Sequence, residues 1–333
     1  MRTTVETVRG PIPVSEIGTT LTHEHLIVDT TRVYFKSYGE EKMSDEKITV
    51  ENRSEIVKDL HTIVFGYKDN IIFDNVDDMV QELETFKAAG GKTVFEVTTL
   101  DLGRNPLALR EISEKSGINI VMGGTYYYFP SIDPKTQEII LGERGANRLA
   151  DLMIAEFFDG VDGTGIKPGV LGELGLQYDV NTNNILLHAA MIAQRETGAP
   201  LIIHSAPFEA LDVAEEEGAD PTKIVMGHWT MAHPVDEAIK RGAWVSFDQF
   251  GMNFPGIIGD DQRVLDVVAM FERGYEKQLL LSMDTCWKVR LKKYGGAGYG
   301  DIFENSFPKL IKAGITQAQL DAVMCDNPMK LLS

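Results

Sequence analysis

The sequence predicts an α/β protein built as a parallel (β/α)8 barrel of the TIM type, with a long insertion after the first strand. Short apolar runs alternate with amphipathic stretches along the whole chain, and eight such pairs can be marked out. Several runs are rich in Val, Ile and Leu with little alternation, as strands buried on both faces are. A doubly wound open sheet is the alternative, but the GxGxxG fingerprint usual after its first strand is absent.

The candidate strands are Thr19–His25, Lys92–Thr98, Asn119–Thr125, Val170–Leu174, Pro200–His204, Lys223–Gly227, Trp244–Phe247 and Gln278–Asp284. Between them, Val76, Met79, Val80, Leu83 and Phe86 recur at three- and four-residue steps, which predicts a helix from Val76 to Ala89. Asn75 is its candidate N-cap and Gly90 its stop. Thr182–Glu196 repeats the pattern with Gly198 as the stop, and Asp260–Glu272 and Asn305–Lys312 are similar. The 333 residues exceed the roughly 250 of a typical barrel, so residues 1–333 are read as one barrel domain carrying extra chain. The surplus lies at 26–91, with a polar stretch, Lys36–Ser54, and a predicted helix, Glu55–Phe65. Following strand 1, it is expected over the barrel mouth as a cover or an oligomer contact.

Apolar residues make up 43% and charged residues 25%, an ordinary globular balance. No run approaches the roughly 18–20 apolar residues of a membrane helix, and Met1–Glu6 lacks the apolar core of a signal peptide. Thirty-two Lys and Arg against 50 Asp and Glu leave a net charge of −18. That argues against nucleic-acid and anionic-membrane partners, both of which need a basic surface. Two cysteines, Cys286 and Cys325, make no disulfide scaffold, so a reducing cytoplasm is the expected setting.

The chemistry-bearing residues fall at strand ends. His23 and His25 end the first candidate strand two residues apart, so both imidazoles share one face while Glu24 points the other way. Strand 5 ends in His204, strand 6 in His228 and strand 8 in Asp284. Carboxyl ends of barrel strands are where active sites are built, and neutral imidazole and carboxylate are zinc ligands. Glu173 sits inside the otherwise apolar strand 4, where a carboxylate is costly unless paired or metal-bound; from there it could bridge two cations. Lys167, the other bridging candidate, precedes Pro168-Gly169 and belongs at the opposite end of the strand.

With these residues the chain resembles the phosphotriesterase branch of the amidohydrolase superfamily, and within it the phosphotriesterase-related and phosphotriesterase homology proteins. The resemblance runs almost end to end, through Gly18–Leu26, Asp162–Gly169, Gly172–Gly175 and Tyr294–Tyr299. It implies a (β/α)8 hydrolase with two divalent metal ions, usually zinc, and a homodimer. Carried over by position, His23, His25 and Asp284 would hold the more buried ion, His204 and His228 the more exposed one, and Glu173 with a hydroxide would bridge them. Founding members use a carboxylated lysine as the bridge; Glu173 stands in its place here, as in the phosphotriesterase-related branch. Relatives that cleave phosphorylated sugar lactones carry a Gly-Lys-Asn loop after strand 7, and a basic pair follows their strand-8 aspartate. This chain has Gly251-Met252-Asn253 and Thr285-Cys286-Trp287 instead, which removes the obvious partners of a phosphate.

The implied reaction is attack of the metal-bridged hydroxide on a carboxylic ester, lactone or amide, with Asp284 as the catalytic proton acceptor and phosphotriesters at most incidental substrates. Amides enter because animal members of the related branch are associated with N-acyl amine hydrolysis. Tyr127, Tyr128, Trp229 and Trp287 follow strand ends and are the candidate pocket walls for a small-molecule substrate. The alternatives are a catalytically inactive binding protein on the same barrel, or a metal-dependent isomerase or lyase. His61, His188 and His233 are read as solvated or structural, and Glu96 is left unassigned.

Overall fold

The computed structural model describes residues 2–333 of the chain. Eight parallel strands form the barrel: β1 (Thr20–Glu24), β2 (Thr93–Glu96), β3 (Asn119–Met122), β4 (Leu171–Leu174), β5 (Leu201–Ile203), β6 (Ile224–Met226), β7 (Trp244–Phe247) and β8 (Leu279–Leu281). Each lies within a run marked out from the sequence. β1–β3 pair in one ladder and β4–β8 in a second. Hydrogen bonds outside the ladders bring their edges together. Gly169 and Gly175 donate to the carbonyls of Met122 and Tyr126 at 2.9 and 3.0 Å, joining β3 to β4, and Asp284 donates to the His23 carbonyl at 3.1 Å, joining β8 to β1. The first seam is tight enough to demand glycine: a Cβ on Gly123 would stand 2.0 Å from the Gly172 carbonyl oxygen.

The lumen is filled by Phe95, Val121, Val170, Ile202, Val225 and Leu280, and its lower end is closed by Val5 and Val14 beside the N-terminal hairpin and by Leu331 and Leu332. Alternate residues on the same strands, such as Val94, Ile120, Leu201 and Leu279, face outward into the larger layer beneath the helices.

Two strands break this alternation. On β1, Leu21 pairs with Val94 and Glu24 with Glu96, three steps against two. On β4, Leu171 pairs with Leu201 and Leu174 with Ile203, again three against two. One extra residue in each strand makes a bulge, which re-aims the side chains beyond it. Leu21 and Leu171 face outward into the helical layer; strict alternation would send His23 and Glu173 outward with them. The bulges turn both into the lumen.

The predicted helix boundaries hold closely at Val76–Ala88, where the Asn75 side chain accepts the Asp78 N–H, and at Val180–Thr197, which ends on left-handed Gly198. The last predicted helix, from Asn305, is α-helical only over Phe307–Lys312 and is preceded by a wider π-turn at Ile302–Ser306. The predicted Glu55–Phe65 helix is corrected: it is two pieces, Arg53–Ile56 and Leu60–Phe65. Asp59 interrupts it, extended at φ −153°, with its carboxylate accepting the Thr62 N–H as the cap of a new helix. Within 26–91, Ile56, Ile63 and Ile71 pack against Met252, Phe254, Trp287 and Val289 from the chain beyond β7 and β8, whereas the Val76–Ala88 helix packs Met79, Leu83 and Phe86 into the outer helical layer.

Candidate functional site

Six side chains from five strands meet at the carboxyl end of the barrel. His204 Nδ1 lies 2.7 Å from Glu173 Oε2 and 2.9 Å from His228 Nε2. His23 Nε2 and His25 Nε2 lie 3.3 and 3.4 Å from the two Glu173 oxygens. Asp284 Oδ1 is 3.3 Å from His25 Nε2, and its Oδ2 is 3.7 Å from His228 Nε2. Three overlapping trios can each surround a cation: His23, His25 and Glu173; Glu173, His204 and His228; and His23, His228 and Asp284. Glu173 belongs to two of them. Lys167 is at the opposite end, beside Thr7 and Arg110.

The surroundings fix which nitrogen each imidazole turns inward. His25 Nδ1 donates to Thr98 Oγ1 at 2.9 Å, because that hydroxyl spends its own proton on Glu96 Oε1 at 2.6 Å. His228 Nδ1 donates to Asp248 Oδ1 at 2.7 Å. Both rings therefore turn Nε2 toward the cluster. His204 is reversed: its Nε2 meets the Tyr127 hydroxyl at 3.2 Å, which itself accepts from the Gln177 amide at 3.0 Å, and Nδ1 turns inward. The tyrosine loop reaches this position because Gly175 has no side chain; a Cβ there would sit 2.0 Å from the Tyr127 carbonyl oxygen.

Asp248, at the end of β7, carries weight that the sequence reading missed. It is buried, accepts the His228 backbone N–H at 3.0 Å, and lies 3.1 Å from His23 Nδ1. The signal was present: Trp244-Val245-Ser246-Phe247-Asp248 ends a strand on a carboxylate, as β8 does with Asp284. Glu96, left unassigned, proves to be the far end of the His25–Thr98 relay. Glu24 faces away from the cluster and stitches the seam, accepting from Ser282 Oγ at 2.7 Å, Met283 N–H at 2.7 Å and Thr285 N–H at 3.0 Å. Arg290 donates to the Asp284 carbonyl at 2.7 Å and the Phe250 carbonyl at 2.6 Å, holding the loop in which Asp284 adopts a left-handed φ of +49°.

Charge balance inside the cluster is strong. Burial would raise the Glu173 carboxyl, but His204 and His23 outweigh it and hold the group well below the usual range. Burial would likewise raise Asp248, and His228 and His23 reverse this. Asp284 is brought down to about 2 against its burial by the hydrogen bond to His25 and the charges of His228 and His23. Burial beside His228 lowers His204.

The donor set fits divalent cations. His23 is wholly buried, yet neither ring nitrogen has a hydrogen-bond partner; the Asp248 oxygen near Nδ1 is close but out of line. A buried imidazole with an unsatisfied Nε2 among carboxylate oxygens is an electron-pair donor waiting for a cation.

Above the cluster opens a cavity of about 920 Å³, whose wall includes Tyr127, Trp229 and Trp287. Trp229 reaches it with its ring only, since Nε1 donates to the Ala206 carbonyl at 2.8 Å. Tyr128 is corrected: its ring meets Tyr178 edge-on instead of forming the cavity wall, because alternate residues of the loop diverge. His61 and His233 do line the cavity, His233 stacked on Trp229, while His188 pairs with Glu217 outside it.

A parallel barrel with histidines and carboxylates gathered at the carboxyl ends of its strands belongs to the class of metal-dependent hydrolase barrels. The chain belongs to the phosphotriesterase family, whose model matches residues 3–332. It is 32% identical to the N-acetyltaurine hydrolase of Salmo salar, over 99% of this chain and 97% of that protein. It is also 32% identical to the phosphotriesterase-related protein of Nematostella vectensis, over 98% of each. Among solved structures, a resiniferatoxin-binding protein from Rhodobacter sphaeroides superposes with a TM-score of 0.88 at 32% identity, covering 99% of this chain and 95% of that one.

Proposed function

We propose that the protein hydrolyses carboxylic amides, with esters and lactones as related substrates, at a two-cation centre held by His23, His25, Glu173, His204, His228 and Asp284. The observation that carries this reading is the position of Glu173, within reach of His23, His25 and His204 at once and common to two of the three candidate trios. The amide preference draws on the relatives named N-acetyltaurine hydrolase. Zinc is the proposed ion, on the strength of an imidazole–carboxylate donor set.

Divalent cations bound there supply a Lewis acid for the scissile carbonyl and lower the pKa of a water nearby. The chain does the rest. Glu173 and Asp284 bring negative charge that offsets the ions. Asp248 and the Thr98–Glu96 pair set the imidazole tautomers. Asp284 accepts the proton of the attacking water and delivers it to the departing nitrogen. The C–N bond breaks, the water's oxygen remains on the acyl carbon, and a carboxylic acid and an amine leave. Tyr127, braced by Gln177 beside the cluster, forms one side of the space in which the carbonyl must lie.

The test is a panel of N-acyl amines, esters, lactones and phosphotriesters assayed with zinc- and manganese-loaded protein. Turnover of amides that is abolished by chelation and restored by metal upholds the reading; turnover confined to phosphotriesters overturns it.

A further inference from the structure

We propose that the site accepts substrates with an extended, uncharged apolar arm, which lies in a chamber built by the Leu60–Phe65 helix and the loop after β7. The inference rests on the hydrolase reading for the position of the reacting carbonyl and goes beyond it in naming the substrate class.

The cavity has a polar floor and apolar upper walls. Its floor is the histidine–carboxylate cluster. The wall includes Leu60, Val64 and Phe65 of the insertion, Ile257 and Ile258 of the β7 loop, and Trp287. Ile258 is 46% exposed, and Leu60, Val64, Phe65 and Ile257 are only partly buried. These apolar side chains border an open space continuous with the reacting centre, so an apolar arm entering it removes their surface from water. At about 920 Å³ the cavity is far larger than an acetyl group requires.

An anionic arm finds few fixed positive charges there, the polar wall residues beyond the cluster including His61, His233, Gln177, Thr230 and Gln249. The wall contains no lysine and one arginine, Arg263. That guanidinium is buried and paired through one nitrogen, with Nη1 3.1 Å from Asp260 Oδ1 and 3.4 Å from the Met252 carbonyl. The Gly251-Met252-Asn253 turn is likewise closed on Asp260, which accepts the Gly251 N–H at 2.9 Å and the Asn253 amide at 2.8 Å. A sulfonate or carboxylate at the far end of the substrate would be desolvated against a wall whose one arginine is already paired with Asp260.

The experiment measures binding and turnover separately on the zinc-loaded protein. Calorimetric dissociation constants are taken for acetamide, butyramide, hexanamide, octanamide and N-acetyltaurine. Turnover is measured for the N-acetyl to N-octanoyl derivatives of glycinamide. Affinity is expected to rise about fourfold per methylene up to octanamide, and octanamide is expected to bind more tightly than N-acetyltaurine. Val64→Asp, at a partly exposed wall position where a carboxylate can fold in hydrated, is expected to flatten that slope. A slope that is already flat in the unaltered protein, tighter binding of N-acetyltaurine, or a slope untouched by Val64→Asp overturns the inference. Chain-length-dependent binding without turnover of any amide upholds the chamber and overturns the hydrolase reading instead.

Discussion

Asp248 grips His228 twice: it accepts the backbone N–H at 3.0 Å and the ring Nδ1–H at 2.7 Å. The double contact holds a residue whose φ of +58° is otherwise unfavourable for a side chain of this size. It also aims Nε2 at the cluster. Asp248→Asn keeps the shape, removes the charge and can present an N–H where an acceptor is needed. Metal affinity is expected to fall about 10–100-fold, read as metal content after dialysis against graded chelator. Excess zinc should restore much of the activity. Undiminished metal retention would show that His228 needs no such support.

Asp284 is expected to matter more for turnover than for metal retention. Asp284→Asn should lower kcat by about 100-fold or more, the range for loss of a positioned proton acceptor, while most of the metal stays bound through the remaining ligands. Metal analysis and steady-state kinetics on the same preparation separate the two effects. Wild-type turnover in the variant would remove the proton transfer assigned to this residue.

Glu173→Ala tests the sharing of one carboxylate between two cation positions. The variant is expected to bind about one equivalent of zinc where the unaltered protein binds about two, because each of the two trios containing Glu173 loses a donor. Atomic absorption after gel filtration gives the stoichiometry. Two equivalents retained by the variant would show that Glu173 is not the bridge.

Asp69 ties the insertion to the β8 loop. It meets Lys47 at 2.8 Å, Lys288 at 2.9 Å and the Ile48 N–H at 3.0 Å. Burial would raise its pKa, but those three partners bring it below the ordinary value. A carboxyl depressed in the folded state stabilises above its unfolded pKa of about 3.9, and the gain is lost as pH falls through the folded value. Asp69→Asn should therefore cost about 1–2 kcal/mol at pH 7, seen as a few degrees in Tm. The difference from wild type should close on titration toward pH 3. An equal Tm gap at pH 7 and pH 3 would assign the loss to shape and not to charge.

Much of this was legible in the sequence because barrel strands announce themselves twice, by apolar runs and by what ends them. His204, His228 and Asp284 each close such a run, and period-two geometry was enough to put His23 and His25 on one face. The helix caps at Asn75 and Gly198 were readable because a capping side chain and a left-handed glycine are local events. What escaped depends on partners distant in sequence. Asp248 is one more strand-end carboxylate until β6 brings His228 beside it, 20 residues away in the chain. Glu96 gains its role only through Thr98 and the imidazole at the end of the neighbouring strand β1. The split at Asp59 was missed because the apolar spacing continues across it, and a local cap overrode the periodicity.

The two bulges bear on how such a centre can be lost or kept through sequence drift. Two of the cluster's side chains, His23 and Glu173, face inward because β1 and β4 each run one residue long against a neighbour. A point substitution elsewhere on either strand leaves that count untouched. Deleting a single residue at Gly172 would leave every histidine and acid of the cluster in the sequence while swinging Glu173 out toward the helices. A homologue with that deletion keeps every ligand residue in its sequence but loses the carboxylate common to two of the three trios, so strand length is the quantity to compare when such chains are sorted into active and silent forms.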